Sequence, residues 1–128
     1  MLYKISTGKT VSAIAEAMPA AAAANLFGVM LVHNFREIMA KKGVEFTREC
    51  LVFEVCQPQQ AKHVLETEMD FSTVLPCRIS VYEENGKTVL ATLKPTALVA
   101  MLNAPMLTEV AQEVEKSIIK IMQDAAIS

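Results

Sequence analysis

Read as apolar and polar positions, the chain switches repeatedly between a period of two and a period near 3.6. Leu2 to Ser6 (LYKIS) alternates as a strand does, and Thr7-Gly8 breaks it. From Thr10, a residue suited to an N-cap, Val11, Ile14, Ala15 and Met18 recur at helical spacing. Pro19 has no N–H to donate and is expected to kink or interrupt this helix. The five alanines Ala20 to Ala24, the strongest helix formers, should resume it. Next, FGVMLVHN reads as a strand with Gly28 just inside it. Strict alternation would put Phe27, Val29, Leu31 and His33 on one face and Met30 and Val32 on the other.

The second half repeats the switching. Asn34 can cap a short helix, FREIMAKKG, that Gly43 ends. A third strand is expected from about Glu49 to Val55, with Leu51, Phe53 and Val55 sharing a face. A third helix should run from Pro58 to about Glu68, turning Ala61, Val64 and Leu65 inward. LPCRISVYEENGKTVLATL reads as two strands joined at Asn85-Gly86, because a primed hairpin turn needs positive φ at both central residues. Residues after Pro95 read as irregular as far as Ala104. From Pro105, Leu107, Val110, Ala111, Val114, Ile118, Ile121, Met122 and Ala125 form one apolar stripe of a long closing helix. Glu109, Glu113 and Glu115 precede Lys116 and Lys120, the order that suits the helix dipole, and read as a solvated face. Such a stripe must be buried against a sheet or another chain. The expected fold is α+β: about five strands in an antiparallel or mixed sheet, with roughly four helices packed mainly on one face. One domain spanning residues 1–128 accommodates it.

Composition narrows the picture. With 52% hydrophobic and 20% charged residues the chain can build a core without metal or disulfide staples. A net charge of −2, with Lys and Arg scattered, argues against nucleic-acid binding. The uncharged run from Ala17 to Val32 is shorter than the ~20 residues that span a bilayer, and Pro19, Asn25 and Gly28 interrupt it. Glu16 directly before it is wrong for a signal peptide. Three cysteines leave at least one thiol unpaired, which favours a reducing cytoplasm.

Little else resembles chemistry. The four glycines form no phosphate loop, and there is no G-x-S-x-G elbow or H-E-x-x-H helix. The spacings C-x5-C and C-x20-C match no zinc pattern, and no cofactor is indicated. A soft-metal site of Cys and Met donors, copper(I) for example, fits ligand type alone. His63 belongs to a polar helix face, and His33 to a strand end. Attention therefore falls on Cys56. Pro58 suits the first helical position and Gln57 the cap, so Cys56 would sit just before a helix N-terminus. There a thiolate would be stabilised and its pKa lowered. A small apolar residue filling the strand-helix corner fits the same position. If β-strands three and four ran parallel, Cys56 and Cys77 would lie about 20 Å apart, beyond disulfide reach, with Cys50 the nearer partner.

The motif order FGV, VFEVCQPQQA, VLPCRISVYEENGKT and LTEVAQEVEKSI, from about Ile5 to Met122, resembles the domain of unknown function 302 family. The resemblance implies a compact α+β domain related to the TBP-like group and a homodimer. It carries over Cys56, Pro58, Ala61, Leu75, Pro76 and Cys77 as signature positions, with Gln57 where members often have Asn. It implies architecture rather than a reaction. The expectation is a cytoplasmic homodimer that binds a small molecule or soft metal, with no nucleic acid and no membrane. Its expected site is Cys56, Gln57, Pro58, Cys77 and Arg78. Two rivals stand beside it: a thiol enzyme or sulfur carrier using Cys56, and an interaction protein whose sheet, or whose long helix at Ile118 and Ile121, meets another chain.

Overall fold

The computed structural model describes residues 1–127. Its order is β1 (Leu2–Thr7), α1 (Val11–Ala24), β2 (Gly28–Asn34), α2 (Phe35–Lys41), β3 (Cys50–Cys56), α3 (Pro58–Thr67), β4 (Cys77–Glu84), β5 (Lys87–Leu93), α4 (Pro95–Met101) and α5 (Thr108–Ile127). Single 3-10 turns occupy Met69–Thr73 and Pro105–Leu107. The five strands form one open sheet in the order β1-β5-β4-β3-β2, and every neighbouring pair is antiparallel.

Local chemistry explains most boundaries. Thr10 accepts from the Ala13 amide at 3.0 Å and caps α1. Asn34 accepts from Glu37 at 3.1 Å and caps α2. Asn85 (φ 52) and Gly86 (φ 78) make the left-handed pair that a tight β4–β5 hairpin needs. Gly43 adopts φ 75 after α2, the left-handed residue that ends a helix by turning its last carbonyls onto following amides.

α1 and α5 lie across one sheet face. Their stripes, Ile14, Met18 and Ala22 on α1 and Ile118, Ile121, Met122 and Ala125 on α5, meet Phe53, Val55, Ile79, Val81 and Leu90 in the main core. A second, smaller core gathers Phe71, Val99, Ala104, Leu107 and Ala111 beside it.

Five expectations are corrected. α1 is not interrupted at Pro19: the stripe on either side, Ile14 and Met18 before it and Ala21 and Ala22 after, is buried and secures both halves of the helix. In β2, Val29 pairs with Val55 but Leu31 with Glu54, so Met30 is the extra residue of a bulge. The bulge moves Leu31 and His33 off the face of Val29 and puts Val32, opposite Phe53, onto the core side. The stretch after Pro95 is helical, not irregular. Glu115 on α5 accepts from the Thr96 amide at 3.2 Å and its hydroxyl at 2.7 Å, anchoring the first turn of α4, so Glu115 is a tether rather than solvated surface. Ile118 and Ile121 are both fully buried inside the chain and cannot serve a subunit contact.

Candidate functional site

Between the two cores lies a cavity of about 320 Å³. From the main core Phe27, Val55, Cys77 and Val114 border it. From the smaller one Phe71, Val99, Leu107 and Ala111 do. α3 forms its lid. No α3 residue is fully buried: Ala61, Val64 and Leu65 border the cavity, and Val64 also packs against the smaller core. The inward turn expected of these three holds, and it turns them toward the cavity as well as toward packed side chains. A shallower hollow shares Phe27, Met30, Cys56, Ala61 and Leu65 and opens between exposed Leu26, Met30 and Met69.

The lid is positioned from the sequence upward. β3 ends at Cys56, where its apolar alternation stops. Gln57 has extended backbone, and its Oε1 accepts from the Gln60 amide at 2.8 Å, the capping bond of α3, with Pro58 in the first turn. The Leu75–Pro76 peptide is cis and leads into β4. Val55 pairs directly with Cys77.

That register overturns the parallel arrangement. β3 and β4 are antiparallel, so the end of one meets the start of the other, and Cys77 lies beside Cys56 rather than about 20 Å away. Cys50 pairs with Tyr82 at the far end. All three cysteines are free thiols. Because residues alternate faces, the register directs Cys77 with Val55 toward the helices and Cys56 the other way, yet both border the cavity where the strands end.

The electrostatic expectation for Cys56 is also reversed. Burial raises its thiol above the ordinary value instead of the helix lowering it. The first turn of α3 has little to offer a thiolate: Pro58 has no N–H, the Gln60 amide is bound by Gln57, and the Ala61 amide bonds the Gln57 carbonyl. Cys77 is pushed up to about 11 by burial, with the neighbouring Cys56 adding to it. Both thiols are neutral at physiological pH.

Cys56, Gln57 and Cys77 thus border the cavity, and Pro58 borders the adjoining hollow. Arg78 does not join them. It pairs with Glu54 on the other sheet face, 3.9 Å from its Oε2, which also meets His33 Nε2 at 2.8 Å. Met30 brings a thioether to the cavity, but among the described residues no three His, Cys, Asp or Glu side chains gather to hold a metal ion. Sequence reasoning missed Gln60. Its Oε1 is buried without a hydrogen-bond partner among the described residues, and the side chain borders the cavity. Its place one turn after Gln57 was readable, but its solitude depends on what folds around it.

Among the described residues, no helix is long and apolar enough to cross a membrane. No curated protein matches the chain. A crystal structure of the uncharacterized conserved protein DUF302 from Bacillus stearothermophilus superposes with a TM-score of 0.91, at 31% identity and over 97% of each chain. The family model described as domain of unknown function DUF302 matches residues 3–125. With sequence and fold agreeing over nearly its whole length, the chain belongs to the DUF302 family.

Proposed function

We propose that this protein is a cytoplasmic, homodimeric module that binds a small molecule in the cavity beside the Cys56-Gln57-Pro58 corner. One observation carries the reading: an apolar space of about 320 Å³ lies between the two cores and is lined by residues of both. Protein interiors fill to about 0.75 of their volume, so a gap of this size is no missing methyl group. It falls in the range of small-molecule sites, roughly 300–1,000 Å³. A lid with no fully buried residue supports the reading, because weakly packed elements open at low free-energy cost.

The neutral thiols weigh against Cys56 as an activated nucleophile, and they suit a wall that a ligand packs against. Methyl NMR of the protein with 1-nonanol tests the reading. Shifts confined to the valine and leucine methyls that line the cavity, Val55, Val64, Leu75, Val99 and Leu107 among them, and abolished by Ala61→Phe, are expected. Shifts elsewhere, or none, overturn it.

The homodimer has its own support. The sheet face opposite α1 and α5 leaves Leu2, Leu31 and Leu93 exposed. It carries Lys4 at the β1 edge and Glu54 and His33 toward the β2 edge. Two such faces related by a twofold axis parallel to the strands set Lys4 of each copy toward the Glu54 side of the other, whereas an axis across the strands would set Lys4 toward Lys4.

A further inference from the structure

We infer that the sheet end of the cavity is a site for one soft monovalent metal ion, copper(I) by its chemistry, held by the sulfurs of Cys56, Cys77 and Met30. The inference goes beyond the small-molecule reading and does not depend on it.

Three neighbouring strands bring the sulfurs together. Val29 of β2, Val55 of β3 and Cys77 of β4 form one row across the sheet. Met30 and Cys56 each follow a member of that row by one residue. Adjacent strands lie about 4.8 Å apart and successive residues about 3.4 Å, which sets the backbones of Cys56 and Cys77 about 6 Å apart. The register alone would turn these two to opposite faces, yet both border the cavity where β3 ends and β4 begins. Cys56 also pushes the Cys77 thiol up, as only a near neighbour does. Met30 stands one strand further out. It is the extra residue of the bulge, a device that re-aims a side chain, and its long flexible thioether borders the same cavity.

The donor set selects the metal. Thiolate and thioether sulfurs are soft and favour copper(I), while structural zinc closes a shell of four donors and magnesium or calcium takes oxygens. Harder donors are missing. Among the described residues no His, Asp or Glu borders the cavity. Gln57 Oε1 is committed to the Gln60 amide, and Gln60 Oε1 is closed off. Cys50 lies at the far end of β3, opposite Tyr82. Entry is open, since exposed Met30 and half-buried Cys56 also border the outer hollow. Binding breaks the S–H bond of each ligating thiol and forms an S–Cu bond, the proton leaving to solvent. The ion arrives and stays as copper(I), so no electron is transferred.

Anaerobic titration of the full chain with copper(I) held by a competing chelator, bicinchoninate, tests this. One ion per chain should be taken up. It should be retained in Cys50→Ser, lost in Cys56→Ser and in Cys77→Ser, and held more weakly in Met30→Leu. In the unmodified chain, loading should shield Cys56 and Cys77 from alkylation by N-ethylmaleimide while Cys50 reacts as before. Peptide mass spectrometry reads this without relying on any variant to fold. X-ray absorption should find sulfur neighbours alone. Full retention in Cys56→Ser or Cys77→Ser, alkylation of either residue undiminished by loading, or a nitrogen or oxygen ligand at the metal overturns the site. Methyl shifts with 1-nonanol are read on metal-free protein, so either reading can fail while the other stands.

Discussion

At Cys77 the register of two strands decides the chemistry of one sulfur. Val55 stands opposite it and the main core lies behind it, so ionisation means placing charge among aliphatic groups. The folded value is about 11 against an unfolded value of 9.0, so above pH 9 the unfolded chain gives up this proton more readily. Stability from this group is therefore complete below pH 9 and lost as pH rises toward 11. Urea unfolding at a series of alkaline pH values should show a loss of up to about 3 kcal/mol that is absent in Cys77→Ala. Cys56 has its own test. In a variant retaining it as the sole cysteine, a disulfide reagent at neutral pH should react more slowly than with a free cysteine, since burial raises its pKa. A faster rate would restore the activated-thiolate reading.

Helix α1 shows what an element tolerates when its packing is secured elsewhere. Pro19 cannot donate to the carbonyl one turn before it, a defect that weighs heavily in an isolated helix. Here Val11, Ile14, Met18, Ala21 and Ala22 are all buried on one stripe, and Pro19 faces solvent. Tertiary contacts thus hold a helix that local propensity would break. Pro19→Ala should raise stability by about 1–3 kcal/mol in denaturant titration, with the fold unchanged. α4 makes the complementary point. Its first turn has no side-chain cap of its own, and it depends on Glu115, nineteen residues later in the chain, for that role.

For the whole molecule, the asymmetry of the sheet is the dominant fact. One face is covered by α1 and α5 and bordered by the cavity beneath α3. The other keeps Leu2, Leu31 and Leu93 in water, around an ion cluster of His33, Glu54 and Arg78. Apolar side chains exposed together in this way mark association surfaces. If the faces pair as proposed, Lys4→Glu reverses one half of the charge pattern without touching the core. Sedimentation should then show a dimer for the native chain and a monomer for Lys4→Glu, while thermal unfolding confirms that the subunit stays folded. A dimer that persists unchanged in the variant would place the contact elsewhere.

Much of the architecture was legible in local pattern. Strand alternation, the Asn85-Gly86 turn, the caps at Thr10, Asn34 and Gln57, and the long stripe from Ala111 to Ala125 each express a physical preference that acts within a few residues. The strand-helix corner at Cys56 was legible for the same reason. What local pattern could not reveal were arrangements set by residues distant in sequence. The Met30 bulge answers to the β3 register, and α4 is anchored from α5. Cys77 lies beside Cys56 because β3 and β4 run antiparallel, while Arg78, one residue on, is turned to the opposite face. The cavity belongs wholly to this second class. A space between two cores has no residue of its own, so only the gathering of Phe71, Val99 and Leu107 into a second core beside the first decides that α3 borders a cavity.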